Sequence, residues 1–365
     1  MTFQRLAARF ASAQEALDAL PEMANAAGRP KLVACSAQDA EREAAAVARF
    51  GARLVFLGDA LYPPLLTLLP DPPPVLAVHG SIDLLATRSV GLVGARNASA
   101  NGQRMAEALA ADIAARGITV VSGLARGIDA AAHAGALHTG FTVACVAGGL
   151  DQPYPEENAA LQARIAAKGA VVSEAPWGTA PQARHFPRRN RIIAGLSLGL
   201  VVVEAALRSG SLITAKLAQD ANREIFAVPG SPLDPRCLGS NDLIRQGAHL
   251  TESAGDVLTH LPDHPGREGL SRLPLFARKV PAGLAEPASR WGSGPDVDAA
   301  LVRAEVVSLL GGAPTEIDEV IRRSQFAASA VMAALSDLEL ALRVDVLPGG
   351  RAVLRDSHGG HPRGS

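Results

Sequence analysis

Between residues 75 and 250 the chain alternates short unbroken apolar runs with stretches of helical periodicity. The runs Val75–Val78, Val90–Val93, Ile118–Val121, Thr142–Val146, Ala170–Val172, Leu200–Val203 and Ile225–Val228 read as strands. Gly102–Arg116, Ile128–His138, Glu156–Lys168 and Ser211–Asn222 read as the helices between them. A run that is apolar at every position, rather than every second one, suits a strand covered on both faces. Parallel strands also need helical crossovers, which the alternation supplies. The expected fold class is α/β: an extended Rossmann-like, doubly wound, mostly parallel sheet over residues 71–260.

The flanks follow other patterns. Residues 1–70 predict a small helical module, with helical stretches at Ala11–Leu20 and Ala37–Phe50 and a strand at Arg53–Leu57. Pro70–Pro74 (PDPPP) is expected to be a rigid junction, since each Pro removes a donor and blocks the preceding turn. Residues 261–295 hold six Pro and five Gly and are expected to be a linker. Helices at Ala299–Leu310, Thr315–Ser324 and Ala327–Leu342, then strands at Arg343–Leu347 and Arg351–Leu354, make residues 296–355 a winged-helix pattern. Residues 356–365 are expected to be a disordered tail.

Composition narrows the function classes. Lys+Arg 35 against Asp+Glu 36 leaves a net charge of −1, so the chain is no polycation. Residues 88–250, however, carry 16 basic and 12 acidic residues, a net of +4. Only four of the basic residues are Lys, and Arg offers the planar fork that suits phosphate. Cys35, Cys145 and Cys237 form no CxxC pair, which argues against a zinc ribbon or a disulfide framework. The opening MTFQRLAARF lacks an apolar segment of signal-peptide type, and Ile192–Leu207 is too short to span a bilayer. A cytoplasmic protein without membrane contact is expected.

In a doubly wound sheet, ligands bind beyond the carboxyl ends of the strands. The loops Gly94–Ser99, Ser122–Asp129 and Glu204–Ser211 are therefore read together; they are rich in Gly, Ser and Arg. Bare amides, hydroxyls and a helix N-terminus make an anion pocket, although ordinary βα turns also favour Gly and Ser. Neither G-x-G-x-x-G nor G-x-x-x-x-G-K-[ST] is present, so neither a nicotinamide cofactor nor a P-loop is expected. The segment Arg184–Arg191 packs four Arg, one His and one Asn into eight positions without an acid, and Phe186 among them is a candidate base stacker. A solvated basic loop is the bland alternative.

Catalytic look-alikes do not hold up. Gly195–Gly199 matches G-x-S-x-G, but a helix precedes Ser197 and a strand follows it, the reverse of a hydrolase elbow. His133 and His138 are five apart with no Glu between, a poor zinc pair, so no metal site is expected. Asp129 reads as a helix-dipole partner. Residues 296–355 hold six Arg and nine acids, and the third helix carries only Asp337 and Glu339 as charges. That winged helix is expected to dock a protein rather than read DNA, with Ala328, Val331, Met332, Leu335 and Leu338 facing its core and Ala330, Ala333, Ala334 and Ala341 on a second face.

Several segments resemble the DprA (Smf) family of DNA-processing proteins: Gly94–Arg96, Ser122–His133, Tyr154–Asn158, His185–Leu196, Arg208–Ala215 and Val228–Pro235. The resemblance spans roughly residues 50–250. It implies a non-enzymatic, single-stranded DNA-binding recombination mediator that loads RecA during natural transformation and dimerises through the Rossmann-like domain. It also implies that Gly94, Arg96, Ser122, Gly123, Ala125, Arg126, Gly127, Arg188, Arg189, Asn190, Arg191, Gly210 and Ser211 bind DNA or phosphate, with no cofactor. The chain departs from the family pattern at Ala95, where Ser is common, at Asn101, where Tyr is common, and at Glu156, where a basic residue sometimes stands. The resemblance further implies that residues 1–70 are a truncated module of a SAM or helix-hairpin-helix kind, starting where a second helix would begin. The competing reading is a Rossmann-like enzyme for a nucleotide or nucleoside phosphate; it would need an acid beside Gly210, and Leu207–Ala215 has none.

Overall fold

The structure, a computed structural model, describes residues 2–26, 34–263, 299–311, 313–324, 326, 328–340, 343–347 and 351–354. The expected tail, and the expected linker beyond its first three residues, lie outside them. Helices α1 (Thr2–Arg9), α2 (Ala13–Ala26) and α3 (Ala37–Arg49) lead. Strands β1 (Ala52–Phe56), β2 (Val75–Gly80) and β3 (Ser89–Val93) follow, then α4 (Ala100–Ala115), β4 (Thr119–Ser122), α5 (Ile128–Thr139), β5 (Thr142–Val146), α6 (Ala159–Lys168) and β6 (Ala170–Ser173). The chain continues through α7 (His185–Leu196), β7 (Gly199–Val202), α8 (Gly210–Asp220), β8 (Glu224–Ala227), α9 (Leu238–Arg245), β9 (His249–Leu250) and α10 (Ala254–His260).

Among the described residues these nine strands make one sheet in the order β1-β2-β6-β5-β4-β3-β7-β8-β9. From β6 to β9 every pairing is parallel, whereas β1–β2 and β2–β6 are antiparallel. Strands β3 to β7 are buried along their length because helices cover both faces. Ile192, Ile193 and Ala215 of α7 and α8 pack on Val93, Val121 and Val202 from one side. Leu109, Ile113, Ile128 and Ala132 of α4 and α5 pack on Leu92, Val120 and Val201 from the other. From β3 the chain winds outward through β4, β5 and β6, then returns to lay β7 on the opposite flank of β3. This reversal opens a crevice at the strand ends.

Several elements differ from the sequence expectation. Helix α2 runs past Leu20, through Pro21, to Ala26, and α1 is additional. Residues 156–158 form a 3-10 turn ahead of α6 rather than its first turn. Helices α9 and α10 and the two-residue β9 were not expected; each is too short for periodicity to show.

Two compact units are present, and the second holds the C-terminal elements. There α11 (Ala299–Leu309), β10 (Thr315–Glu316), α12 (Ile317–Arg323), α13 (Ala328–Leu340), β11 (Val344–Leu347) and β12 (Arg351–Leu354) form a winged helix whose sheet runs β10-β12-β11. Val302, Val306, Val331, Leu335, Leu338 and Val344 make its core. Ala334 is buried there and Ala330 packs against it, so the second apolar face expected on the third helix is partly core. No helix among the described residues is long and apolar enough to cross a membrane.

Candidate functional site

At the crevice, the ends of β3, β4 and β7 and one face of α7 enclose a cleft of about 790 Å3. Gly94–Asn97 enter after β3, Ala125 and Asp129 after β4, and Ala206 and Ser209–Ser211 after β7. Glu204 steadies two of these loops: its carboxylate accepts from Ser99 N–H at 2.9 Å and Ser99 Oγ at 2.5 Å. Ser99 in turn caps α4 by accepting from Gly102 N–H at 2.9 Å.

Helix periodicity divides the basic segment that looked like one patch. Phe186, Arg189, Asn190 and Ile193 recur at helical spacing and face the cleft. Arg188 and Arg191 turn away toward Glu174 at the end of β6, an acid remote in sequence. Arg188 donates to both Glu174 oxygens, at 3.2 and 3.0 Å. Arg191 donates to Glu174 Oε1 at 2.5 Å and to the Asp71 carbonyl at 2.6 Å. Arg188 and Arg191 are thus not among the residues that line the main cleft: Arg191 ties α7 to Glu174 and Asp71, and Arg188 lines a smaller neighbouring cavity of about 230 Å3.

The loop after β4 also departs from expectation. Ser122 is fully buried, and its hydroxyl donates to the Leu92 carbonyl at 2.6 Å. The Ala125 amide is taken by the Asp129 carboxylate at 3.4 Å, so it is turned inward rather than offered to an outside anion. Arg126 pairs at the surface with Glu157 at 2.8 Å, and Gly127 turns the chain into α5 with φ +72°. Asp129 does sit at a helix start, but it also faces Arg189. Burial pushes the Asp129 carboxyl above its ordinary range while Arg189 and the Ala125 and Gly123 amides pull the other way. Burial likewise lowers Arg189, and Asp129 opposes that.

Two features of the cleft suit a nucleic-acid strand. The Arg96 guanidinium stands over the Phe186 ring at 4.9 Å, and the half-exposed Tyr154 ring lies 5.5 Å from Phe186. Together they form an aromatic platform with a cation on it. Opposite, α8 begins without a side-chain cap. The buried Ser209 hydroxyl at its N-cap position has no hydrogen-bond partner among the described residues. Space above Gly210 is open, and Ser211 Oγ donates to the Gly94 carbonyl at 2.7 Å, joining the β3 and β7 loops. First-turn amides, an orphan hydroxyl and Arg96 in one cleft are the chemistry that can hold an anion. The residues singled out from the sequence for phosphate binding did not include Ser209, Tyr154 or Arg236, all of which line the cleft. Ser209 was legible within the Glu204–Ser211 loop, two residues ahead of the predicted helix; the placing of the other two needed the fold.

The remaining candidates resolve simply. Ser197 is buried and donates to the Ile193 carbonyl at 2.8 Å. His133 is buried against Thr142 at 2.7 Å, and His138 lies at the surface 4.0 Å from Glu107. No group of three or more His, Cys, Asp or Glu side chains placed to hold a metal is found among the described residues.

Known proteins with the same pattern can now be set beside this geometry. Residues 53–262 match the family described as DNA recombination-mediator protein A. Residues 293–350 match the DprA winged helix domain, and residues 1–46 the DprA-like N-terminal HHH domain. Protein Smf of Escherichia coli is 39% identical over 296 residues, covering 80% of this chain and 75% of its own. The DNA processing protein DprA of Bacillus subtilis is 43% identical over 224 residues, covering 61% and 75%. Among solved structures, DprA of Streptococcus pneumoniae superposes with a TM-score of 0.58 at 34% identity, over 72% of this chain and 97% of that one. DNA processing protein A of Helicobacter pylori, described for its single-stranded DNA binding mode, gives 0.52 at 30% identity, over 57% and 95%.

Proposed function

Because the chain belongs to the DNA recombination-mediator protein A family, we propose that it binds single-stranded DNA in this cleft, without catalysis, and loads a RecA-type recombinase onto it during natural transformation. The observation that carries the reading is the pairing of the Arg96–Phe186–Tyr154 platform with the uncapped N-terminus of α8 in one cleft. Phosphates meet Arg96, the α8 amides and the Ser209 hydroxyl, with the open space above Gly210 leaving room for the approach and the Ser211–Gly94 bond fixing the two loops. A base lies on Phe186, which a paired duplex cannot offer. Arg189 supplies positive charge from the floor and Asn190 a polar edge from α7. A homodimer through the Rossmann-like domain would present two clefts and gain affinity by effective concentration.

Binding of labelled oligo-dT by anisotropy across a salt series tests the reading. Single strands should bind more tightly than duplex of equal length, and mixed-sequence strands should agree with oligo-dT within about tenfold. Arg96→Ala should weaken binding and lower the salt slope by about one. Phe186→Ala should weaken binding with the slope nearly unchanged. Unaltered affinity in both variants removes the strand from this cleft.

A further inference from the structure

Beneath the cleft, Asp129 and Arg189 are tied to each other's surroundings rather than to solvent. Asp129 is 6% exposed and Arg189 5%. The Asp129 carboxylate accepts from Ala125 N–H at 3.4 Å, and the Gly123 amide favours its charged form. Arg189 arrives from the opposite side, on α7, and its Nη1 donates to the Cys145 carbonyl at 3.0 Å at the end of β5. Its Nε has no hydrogen-bond partner among the described residues. Gly123 is what lets them come near each other, short of a direct ion pair: a Cβ there would overlap Arg189 Nη1 and lie 2.7 Å from Asp129 Oδ2. The Arg189 guanidinium also stands 5.9 Å from the Phe186 ring, one helical turn away on the same face.

An acid in the floor of a phosphate-binding cleft is a puzzle on charge alone. As a bare charge, Asp129 lowers the potential that a polyanion meets and should weaken binding. As a holding group it does the reverse. It keeps the β4 loop closed around its own amides, and it gives a buried guanidinium the counter-charge without which that guanidinium is costly to keep in place. Resting on the strand-binding reading above, we propose that Asp129 is a positioning residue for the strand cleft. It touches no phosphate itself, but it holds Arg189 and the Gly123–Ala125 loop in the arrangement on which the Phe186 platform rests. The two roles predict opposite signs when the charge is removed.

The test uses the full chain with Asp129→Asn, which keeps the shape and removes the charge, assayed with labelled oligo-dT below its melting transition. Positioning predicts affinity lower by about tenfold or more, with the salt slope changed by less than about half a unit because no phosphate contact is lost. In a cycle with Arg189→Met, the double variant should lose little more than the worse single variant. Tighter or unchanged binding by folded Asp129→Asn overturns the proposal, as does full additivity. A role in stability alone would lower the melting midpoint and leave the affinity of the folded protein intact, which also overturns it. Should Asp129→Asn fail to fold, Gly123→Ala keeps both charges while displacing the guanidinium. The same loss is expected there, and normal binding by that folded variant overturns the proposal. If Arg96→Ala and Phe186→Ala leave binding intact, the strand-cleft reading fails and takes this inference with it. If those two weaken binding while Asp129→Asn does not, only the positioning role falls.

Discussion

His133 shows how far a single buried side chain constrains the protein. Thr142 Oγ1 donates to the Val120 carbonyl at 2.7 Å, so it can only accept from the imidazole, which fixes the proton on Nδ1. Nε2 is left buried with no partner among the described residues. Burial, reinforced by Arg189, pulls the His133 pKa down to about 3. The unfolded chain takes up this proton below about pH 6.5, and the folded one refuses it until far lower. The stability from His133 is therefore complete above about pH 6.5 and is lost as the pH falls toward 3, on the order of 1 kcal/mol per unit. Urea unfolding at pH 7.5 and 5.5 checks this against His133→Asn, whose amide can still donate to Thr142. The parent should lose roughly 1 kcal/mol more than the variant between the two conditions; equal losses would refute the assignment. Its five-residue spacing from His138, a poor metal pair, made this His legible as structural. The division of Arg188, Arg189, Asn190 and Arg191 between two faces was not read, although the helical period contains it, because the decisive acid, Glu174, is fourteen residues from Arg188 along the chain.

Among the elements, the seven expected strands were legible because each is buried on both faces, which demands an unbroken apolar run. The direction of β2 was not. A buried antiparallel strand between β1 and β6 carries the same apolar signal as a parallel one, and only pairing tells them apart. The entry to α5 was legible as Gly-rich but not as strained. Gly127 has φ +72°, and a Cβ there would run into the Ala95 carbonyl. Gly117 has φ +77° with nothing within 4 Å. Replacing each by Ala separates backbone cost from packing cost. Gly117→Ala should lose about 1 kcal/mol from the left-handed conformation alone. Gly127→Ala should lose about 2 kcal/mol more, since the β3 loop must also shift. Equal midpoints in denaturant for the two variants would place no packing constraint at the start of α5.

At the scale of the whole molecule, charge is distributed unevenly. Residues 88–250 are net +4 and residues 296–355 net −3. Helix α13, the element that would enter a groove, brings Asp337, whose carboxylate accepts from Arg303 at 2.9 Å, and Glu339. A surface of that sign repels phosphates, so the winged helix should add little to strand binding. Cutting the chain after Gly294 should leave oligo-dT affinity within about threefold, measured by anisotropy alongside a melt that confirms the remaining fold. A large loss in a folded protein would assign DNA contact to the winged helix. Its composition made the sign of that surface legible from the sequence; the burial of Ala334 needed the packed core.

The ties of α7 also have a mechanical side. Arg188 and Arg191 fasten it to Glu174 at the end of β6, and Arg189 fastens it to Cys145 at the end of β5. Tension along a strand held at Arg96 and Phe186 would thus pass into β5 and β6, at one flank of the parallel strands. Load directed along those strands is carried as shear across evenly spaced hydrogen bonds, many at once. A pull on the nucleic acid would then be met by the whole sheet instead of a surface loop.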